Sequence, residues 1–211
     1  MVYKKIGVFL LAFMFLYGGC ATTPPHSLVP DYKDRAPASI AVLPIQNETV
    51  DMDAPKVFRQ NLFNTIFSKG YASHRIDEID SKLAKKGVRE AGQLGSMPPQ
   101  EMGKCLGVDA LLYTTITEWS TTYLVIYAAV KVGARFQLID AETGEQLWES
   151  EHEVTEKIFG TDENSIKESI SFAALEKYEH HAQRVITTSF STLPNGPNYI
   201  HHNEGGGCLG P

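Results

Sequence analysis

The pattern of apolar positions predicts a buried β-strand followed by a helix. Residues 39–45 read SIAVLPI, an apolar run without polar alternation, which is typical of a strand covered on both faces. We therefore expect this strand in the centre of a sheet. After the turn-forming residues QNETVDM, Asp53 precedes Ala54 and Pro55, a pattern that indicates a helix capped by the Asp53 side chain.

Apolar residues at helical spacing define this first helix, and a second, shorter helix is predicted after it. The first helix is expected to end at Gly70, and its apolar stripe consists of Phe58, Leu62, Phe63, Ile66 and Phe67. A short strand is then predicted over residues 71–76 and a short helix over residues 77–86. Residues 87–95 are rich in glycine and are predicted to be irregular.

Two later segments also have helical spacing. The proline pair at 98–99 starts a helix, on whose apolar face Cys105 is expected to be a small core residue rather than a reactive thiol. The last helix is predicted over residues 162–189, with Asp162 as its cap. Its apolar residues recur every three or four positions, at Ile166, Ile170, Ala174, Tyr178, Ala182 and Val185.

Three successive strands are predicted between these two helices. Residues 108–119 are rich in β-branched and aromatic residues, residues 120–122 are expected to form a turn, and residues 123–140 form the second strand. Gly144 supplies the left-handed residue of a tight hairpin, and residues 145–157 form the third strand, antiparallel to the second. The predicted fold is α/β, a single mixed sheet with a central buried strand, a three-strand antiparallel meander and packing helices.

The second of these strands alternates cleanly, which gives it two distinct faces. Its even positions are apolar: Leu124, Ile126, Ala128, Val130, Val132, Ala134, Phe136 and Leu138. Its odd positions include Tyr123, Tyr127, Lys131 and Arg135. We expect the apolar face to be covered by the protein's own helices. The polar face is the candidate partner surface, because exposed tyrosine and arginine are enriched where partners bind, and an ordinary solvated sheet face is the alternative.

The N-terminal apolar segment is predicted to be a signal peptide. Lys4 and Lys5 precede an apolar run over residues 6–17, which as a helix would be about 18 Å long. The hydrocarbon core of a bilayer is about 30 Å thick, so the run is too short for a stable transmembrane span.

The residues LYGGC at 16–20 resemble the lipobox of bacterial lipoproteins, although Tyr17 stands where Leu, Val or Ile is usual. This resemblance implies cleavage between Gly19 and Cys20 and attachment of lipid to Cys20. Ala21, which is not Asp, implies sorting to the outer membrane. An ordinary secretory signal cut elsewhere, or an uncleaved anchor, remains the alternative.

The predicted organisation has four parts. Residues 1–19 are the signal peptide, residues 20–37 a lipid-anchored flexible tether, residues 38–193 the α/β domain, and residues 194–211 a disordered tail.

Charge narrows the range of partners. The 19 basic residues include Lys4 and Lys5 of the signal peptide, so 17 basic and 25 acidic residues remain afterwards, a formal charge of −8. An acidic surface repels phosphate backbones and anionic headgroups, which argues against nucleic-acid binding and against a polybasic membrane contact. Membrane attachment is therefore expected through acyl chains on Cys20 alone.

Candidate chemistry is sparse along the chain. The sequence lacks the G-x-S-x-G, H-E-x-x-H, Walker and C-x-x-C motifs. His180 and His181 are adjacent and would point about 100° apart on a helix, and residues 201–208 hold histidine and cysteine in a glycine-rich tail. The acidic residues at 77–80 suit a helix start. We predict no catalytic residue, no metal ligand and no cofactor, and hence a protein that is not an enzyme.

Three blocks of sequence resemble a known family. SIAVLPIQNETVDMDAP, GVDALLYTTITEWSTTYLVI and LIDAETGEQLWES resemble the signature blocks of a family of bacterial outer-membrane lipoproteins of unknown function. Together the blocks cover about residues 38–160. More distantly, the chain is similar to the amino-terminal domain of TolB, to the synthase activator LpoB and to the curli secretion lipoprotein CsgG.

The resemblance implies a small α/β domain that binds other envelope components, and it supplies no catalytic residues. We therefore expect a non-catalytic outer-membrane lipoprotein that faces the periplasm and acts as an adaptor in envelope assembly or secretion. The alternative is a subunit of a CsgG-like secretion pore complex. The sequence leaves the partner proteins and the oligomeric state open.

Overall fold

A computed structural model describes residues 23–123, 127–159 and 174–200. Within them lie six β-strands: β1 (His26–Leu28), β2 (Ile40–Val42), β3 (Gln46–Asn47), β4 (Ala110–Tyr123), β5 (Tyr127–Asp140) and β6 (Gln146–Phe159). They form one mixed sheet in the order β1-β6-β5-β4-β2, and β3 also pairs with β4. Strands β2 and β3 run parallel to β4, and the other pairs are antiparallel. The predicted α/β fold is confirmed.

Helices cover parts of both faces of this sheet. The described residues contain α1 (Ala54–Ser68), α2 (Ile76–Lys85), a 3-10 helix (Ala91–Ser96), α3 (Pro99–Leu106) and α4 (Ala174–Phe190). Helices α1 and α4 bury the larger core cluster, to which Ile40, Val42 and Leu112 belong. Helices α2 and α3 bury a smaller cluster that contains Ala41 and Leu111. Since successive strand residues point to opposite faces, the two clusters lie on opposite sides of the sheet.

Strand β2 is buried on both faces, as predicted, but it lies at the end of the strand order and not in its centre. Beyond it there is one isolated bridge, between Ser39 and Ala72, where the Ile40 amide donates to the Ala72 carbonyl at 2.8 Å. The strand predicted over residues 71–76 is reduced to this bridge. The segment is short because α1 ends just before it and α2 begins at Ile76.

The meander has longer strands than predicted. Residues 120–122 were expected to turn, and this expectation is wrong: they belong to β4, and Ser120 pairs with Lys131 of β5. Threonines at 121 and 122 are β-branched and suit a strand. The β5–β6 hairpin turns at Gly144, whose φ is 78°, as predicted. The predicted apolar positions from Ala128 to Leu138 are buried, whereas Leu124 and Ile126 lie outside the described residues.

Helix α1 begins and packs somewhat differently from the prediction. The carboxylate of Asp51, not that of Asp53, accepts the amides of Asp53 and Ala54, each at 2.9 Å. Of the predicted stripe, Phe58, Leu62 and Ile66 are fully buried, Phe63 is half-buried and Phe67 is 71% exposed. A helix that packs on one side buries a narrower face than five apolar residues span.

The last helix agrees with the prediction over the residues that can be compared. Ala182 and Val185 of α4 are buried, and the Tyr178 ring stacks on Trp119 with centroids 4.8 Å apart. The predicted helix start, residues 162–173 with Asp162, Ile166 and Ile170, lies outside the described residues.

The N-terminal segment is packed where a flexible tether was predicted. Strand β1 pairs with β6, with His26 opposite Ser150. Tyr32 is buried, and its hydroxyl lies 2.8 Å from that of Tyr71. Backbone pairing and the burial of a tyrosine ring hold this part of residues 20–37 against the domain.

The described part of the predicted disordered tail is also packed. The Gly196 amide donates to the Lys69 carbonyl at 2.7 Å, and the Asn198 amide donates to the Gly70 carbonyl at 3.0 Å. Residues 194–200 thus cross the C-terminal end of α1. Residues 201–211 lie outside the described residues.

This packing predicts unequal effects of two glycine substitutions. Gly70 and Gly87 both have positive φ, 81° and 87°, where an alanine costs about 1–2 kcal/mol of strain. A Cβ on Gly70 would lie 2.2 Å from the Tyr199 amide nitrogen, whereas a Cβ on Gly87 meets nothing within 4 Å. In urea unfolding we expect Gly70→Ala to destabilise by about 1–3 kcal/mol more than Gly87→Ala. Equal losses would mean that residues 194–200 do not pack there.

Candidate partner surface

The candidate surface is the polar side of the three long strands. We call it the meander face and define it by the charged residues Glu118, Lys131, Arg135, Glu149, Glu151, Glu153 and Lys157. The register aligns Arg135 with Glu151 and Gly133 with both Glu118 and Glu153. A Cβ built on Gly133 would lie 3.2 Å from Glu118 Cβ and 3.5 Å from Glu153 Cγ, so these side chains share one face. Helices α2 and α3 cover the other end of this side, over β2 and the start of β4.

Cross-strand ion pairs organise the meander face. Arg135 Nε donates to Glu151 Oε2 at 3.0 Å, and Lys131 Nζ lies 3.9 Å from Glu153 Oε1. Both basic side chains are 42% exposed. The hydrogen bond from Glu151 raises the pKa of the Arg135 guanidinium above its ordinary value, with Glu48 and Glu149 adding attraction. At this exposure such pairs contribute little to stability.

The structure brings together two of the four residues that the sequence singled out. Lys131 and Arg135 lie on the same face of β5, four residues apart. The backbones of Tyr123 and Tyr127 end β4 and begin β5, where they pair with Ala128 and Phe159, but their side chains lie outside the described residues. Gly19 and Cys20, the predicted cleavage and lipid-attachment residues, also lie outside them.

The net charge of the meander face was not predicted from the sequence. Four glutamates outnumber its three cations, Lys131, Arg135 and Lys157, so the face has a net negative charge. The signal was present in β6, where Glu149, Glu151 and Glu153 occur at every second position. What the sequence lacked was the register that sets this row of carboxylates beside β5.

The opposite side of the meander is covered by α1 and α4, as predicted for the apolar face of β5. Phe136 lies at the centre of an aromatic cluster, with ring centroids 5.3 Å from Phe190, 6.4 Å from Trp148 and 6.4 Å from Phe58. Trp148 Nε1 donates to Thr192 Oγ1 at 2.9 Å. This side is therefore core.

Histidines line the contact between α4 and β6. The buried His181 ring places Nε2 2.9 Å from Glu156 Oε2, while His180 is exposed and its ring stands nearly perpendicular to that of His181. Burial, followed by the nearby charge of Arg184, lowers the pKa of His152 below its ordinary value. In the part of the chain that the structure describes, no group of three histidine, cysteine or acidic side chains is placed to hold a metal ion.

A second surface feature had no signal in the sequence. A groove of about 790 Å³ lies between α1, α2 and the 3-10 helix. Inside it Arg59 donates to both carboxylate oxygens of Asp80, at 2.8 and 2.7 Å, and to the Val42 carbonyl. Val50 and Met52 are exposed on the loop that leads to α1. Because all three guanidinium nitrogens of Arg59 already donate within the fold, this arginine holds α1 to α2 and β2.

Among the helices described, none combines the length and apolar character needed to cross a bilayer. The fold and surface first define a class: a small α/β domain with one open, charged sheet face. Residues 29–188 match the family model "Putative lipoprotein GNA1162-like", and the chain belongs to this family. The prediction of a lipoprotein family is confirmed at this level.

A curated relative and several solved structures are similar to the chain. "Putative lipoprotein NMB1124/NMB1162" of Neisseria meningitidis serogroup B is 26% identical over 125 residues, which cover 59% of this chain and 58% of the relative. The chain thus spans less than two thirds of that relative. The crystal structure of lipoprotein GNA1162 from Neisseria meningitidis has a TM-score of 0.55 at 23% identity, and the match covers 67% of this chain and 98% of that one. This likeness supports the fold.

Two more distant structures have TM-scores below 0.5. A PelC dodecamer from Paraburkholderia phytofirmans has a TM-score of 0.45 at 20% identity, over 79% of this chain and 94% of that one. The C-terminal domain of LpoB from Escherichia coli has a TM-score of 0.42 at 14% identity, over 69% and 93%. LpoB is thus among the structural neighbours, and the resemblance to TolB and CsgG stays a prediction.

Proposed function

We propose that the protein is a non-catalytic lipoprotein that docks other proteins of the cell envelope. In this proposal acyl chains on Cys20 hold it at the outer membrane, and the domain faces the periplasm, where it serves envelope assembly or secretion. Membership of a lipoprotein family supports the anchor. The observation that carries the docking role is the meander face, an open surface with seven charged side chains on three strands.

The chemistry of this face favours a protein partner with a basic surface. Four glutamates against Lys131, Arg135 and Lys157 leave the face with a net negative charge, which attracts and orients a positive patch. Because its ion pairs are half-exposed, a partner can replace them at little cost to the fold. Arg135, already held in place by Glu151, can contribute contacts of the kind that are enriched at interfaces.

The adaptor is better supported than the secretion pore. A strand that crosses a membrane needs one apolar face toward lipid, and in the described residues the apolar face of β5 is packed under α1 and α4. The face that remains open carries charges, which are expensive in hydrocarbon.

Charge reversal on the meander face tests the docking role. We expect the double variant Glu151→Lys/Glu153→Lys of the full lipidated protein to recover its partner from solubilised envelopes at least about tenfold less well, because like charges then face each other. The matched control is Glu101→Lys/Glu142→Lys, which reverses two exposed acidic residues on α3 and the β5–β6 turn. Quantitative mass spectrometry compares the proteins recovered with each variant.

Two outcomes would contradict the proposal. If the proteins recovered with the wild type and the control were recovered equally with the meander variant, the face would be an ordinary solvated sheet surface. If the lipidated protein gave stable single-channel conductance in planar bilayers, the pore subunit would replace the adaptor.

A further inference from the structure

The N-terminal chain joins the folded domain only a few residues after Cys20. Pro24 is already buried, and the Glu151 amide donates to the Pro25 carbonyl at 3.2 Å. Strand β1 then pairs with residues 148–150 of β6, and the Val29 amide donates to the Leu147 carbonyl at 3.0 Å. The segment is therefore attached to β6 along its length.

This attachment limits how far the domain can stand from a lipid on Cys20. Three peptide units separate Cys20 from Thr23, and they span at most about 11 Å. A free tether over residues 20–37 would instead have an r.m.s. length of about 23 Å and a much longer maximum. Because β1 is packed on the domain, the domain can stand much less far from the membrane than the predicted free tether would allow.

We propose that the edge of the sheet formed by β1 and β6 lies directly against the lipid bilayer, with lipid headgroups as its neighbour. This inference rests on the proposed acylation of Cys20. The three side chains of β1, His26, Ser27 and Leu28, are exposed among the described residues. With a formal charge of −8 after the signal peptide, the domain is not drawn to anionic lipid, so the covalent anchor and not electrostatic attraction sets the contact.

The orientation also specifies where a docked partner must be. Neighbouring strands lie about 4.8 Å apart, so Arg135 on β5 is roughly 10 Å from β1 across the sheet. The meander face is thus close to the membrane surface. A partner that binds there is itself in or at the same membrane, and a partner held across the periplasm is out of reach.

Quenching of a fluorescent probe by lipid headgroups tests the orientation. The full acylated protein, with Cys105→Ala and Cys208→Ser, carries one probe thiol at Ser27→Cys or at Ser81→Cys. Ser81 is the matched control: it is exposed on α2, which packs on β2 at the other end of the strand order, roughly 19 Å from β1. In vesicles of phosphatidylethanolamine and phosphatidylglycerol with a headgroup spin label, we expect the Ser27 probe to lose most of its emission and the Ser81 probe to keep most of its emission.

A longer segment between Cys20 and the domain provides a second test of the orientation. A Gly-Ser insert of about 20 residues after Thr22 adds an r.m.s. length of about 25 Å, and it should reduce quenching at Ser27 to the level at Ser81. Equal quenching at both positions in protein that is acylated by mass would overturn the orientation and leave the proposed function standing. An unacylated Cys20 would overturn the lipid anchor and this inference with it.

Discussion

Replacing Phe58 by alanine is expected to destabilise the domain by about 3–5 kcal/mol. The ring is fully buried on α1, with its centroid 6.0 Å from that of Trp119 and 6.4 Å from that of Phe136. Its removal leaves a cavity between the helix layer and the meander, and neighbours fixed by the sheet can fill that space only in part. Leu62→Ala, one turn further along the same buried face, should cost about 2–5 kcal/mol.

The helix itself provides the control for this experiment. Phe67→Ala removes the same ring from a position that is 71% exposed, and we expect a change within about 0.5 kcal/mol. Urea unfolding followed by circular dichroism gives all three values. If Phe58→Ala were as silent as Phe67→Ala, α1 would not be docked on the sheet as described.

The local parts of the fold could be predicted from sequence because local patterns determine them. The period-two alternation of β5 indicated its buried and polar faces, and Gly144 indicated the hairpin to β6. Helical spacing located α1 through Phe58, Leu62 and Ile66. It could not exclude Phe67, because one helical stripe does not reveal how wide a face its neighbours cover.

The non-local parts were beyond such patterns. A strand that helices cover on both faces has the same apolar sequence at the end of a sheet as in its centre. For this reason the sequence placed β2 wrongly. Strand β1 has three exposed side chains in a proline-rich segment, and it is ordered by pairing with β6, more than 100 residues away. Residues 194–200 are held by backbone bonds to Lys69 and Gly70 and by the Tyr71 hydroxyl, which donates to the Pro194 carbonyl at 2.7 Å. These contacts join residues more than 120 positions apart, so no local pattern predicts them.

The candidate site likewise has local features that the sequence predicted and a non-local arrangement that it did not. The sequence identified Lys131 and Arg135, and the alternate glutamates of β6 were visible in it without any indication of which strand they would lie beside. Their combination depends on register, since a shift of one residue would turn Glu151 to the other face. A surface interpreted from Tyr123, Tyr127 and two cations thus became, with the strands paired, an acidic face.

The largest expected effect of any substitution is the loss of the lipid anchor at Cys20. We expect the mass of the purified membrane form to equal residues 20–211 plus a diacylglycerol on the Cys20 thiol and an acyl chain on its new amino group. Each buried methylene contributes about 0.8 kcal/mol, so three chains bind a bilayer far more firmly than one, which binds only marginally. Cys20→Ser should remain an unacylated precursor with residues 1–19 attached and should disappear from the outer-membrane fraction.

Ala21 separates acylation from sorting in the same experiment. Because Asp at this position is expected to retain a lipoprotein in the inner membrane, Ala21→Asp should carry the full lipid mass and yet fractionate with the inner membrane. The matched variant Ala21→Ser, also small and without charge, should be acylated and sorted like the wild type. An uncleaved chain, or an unmodified Cys20 at the amino terminus, would contradict the anchor. A fully acylated Ala21→Asp protein in the outer membrane would contradict the sorting rule alone, since the lipid on Cys20 would then be present without residue 21 directing its destination.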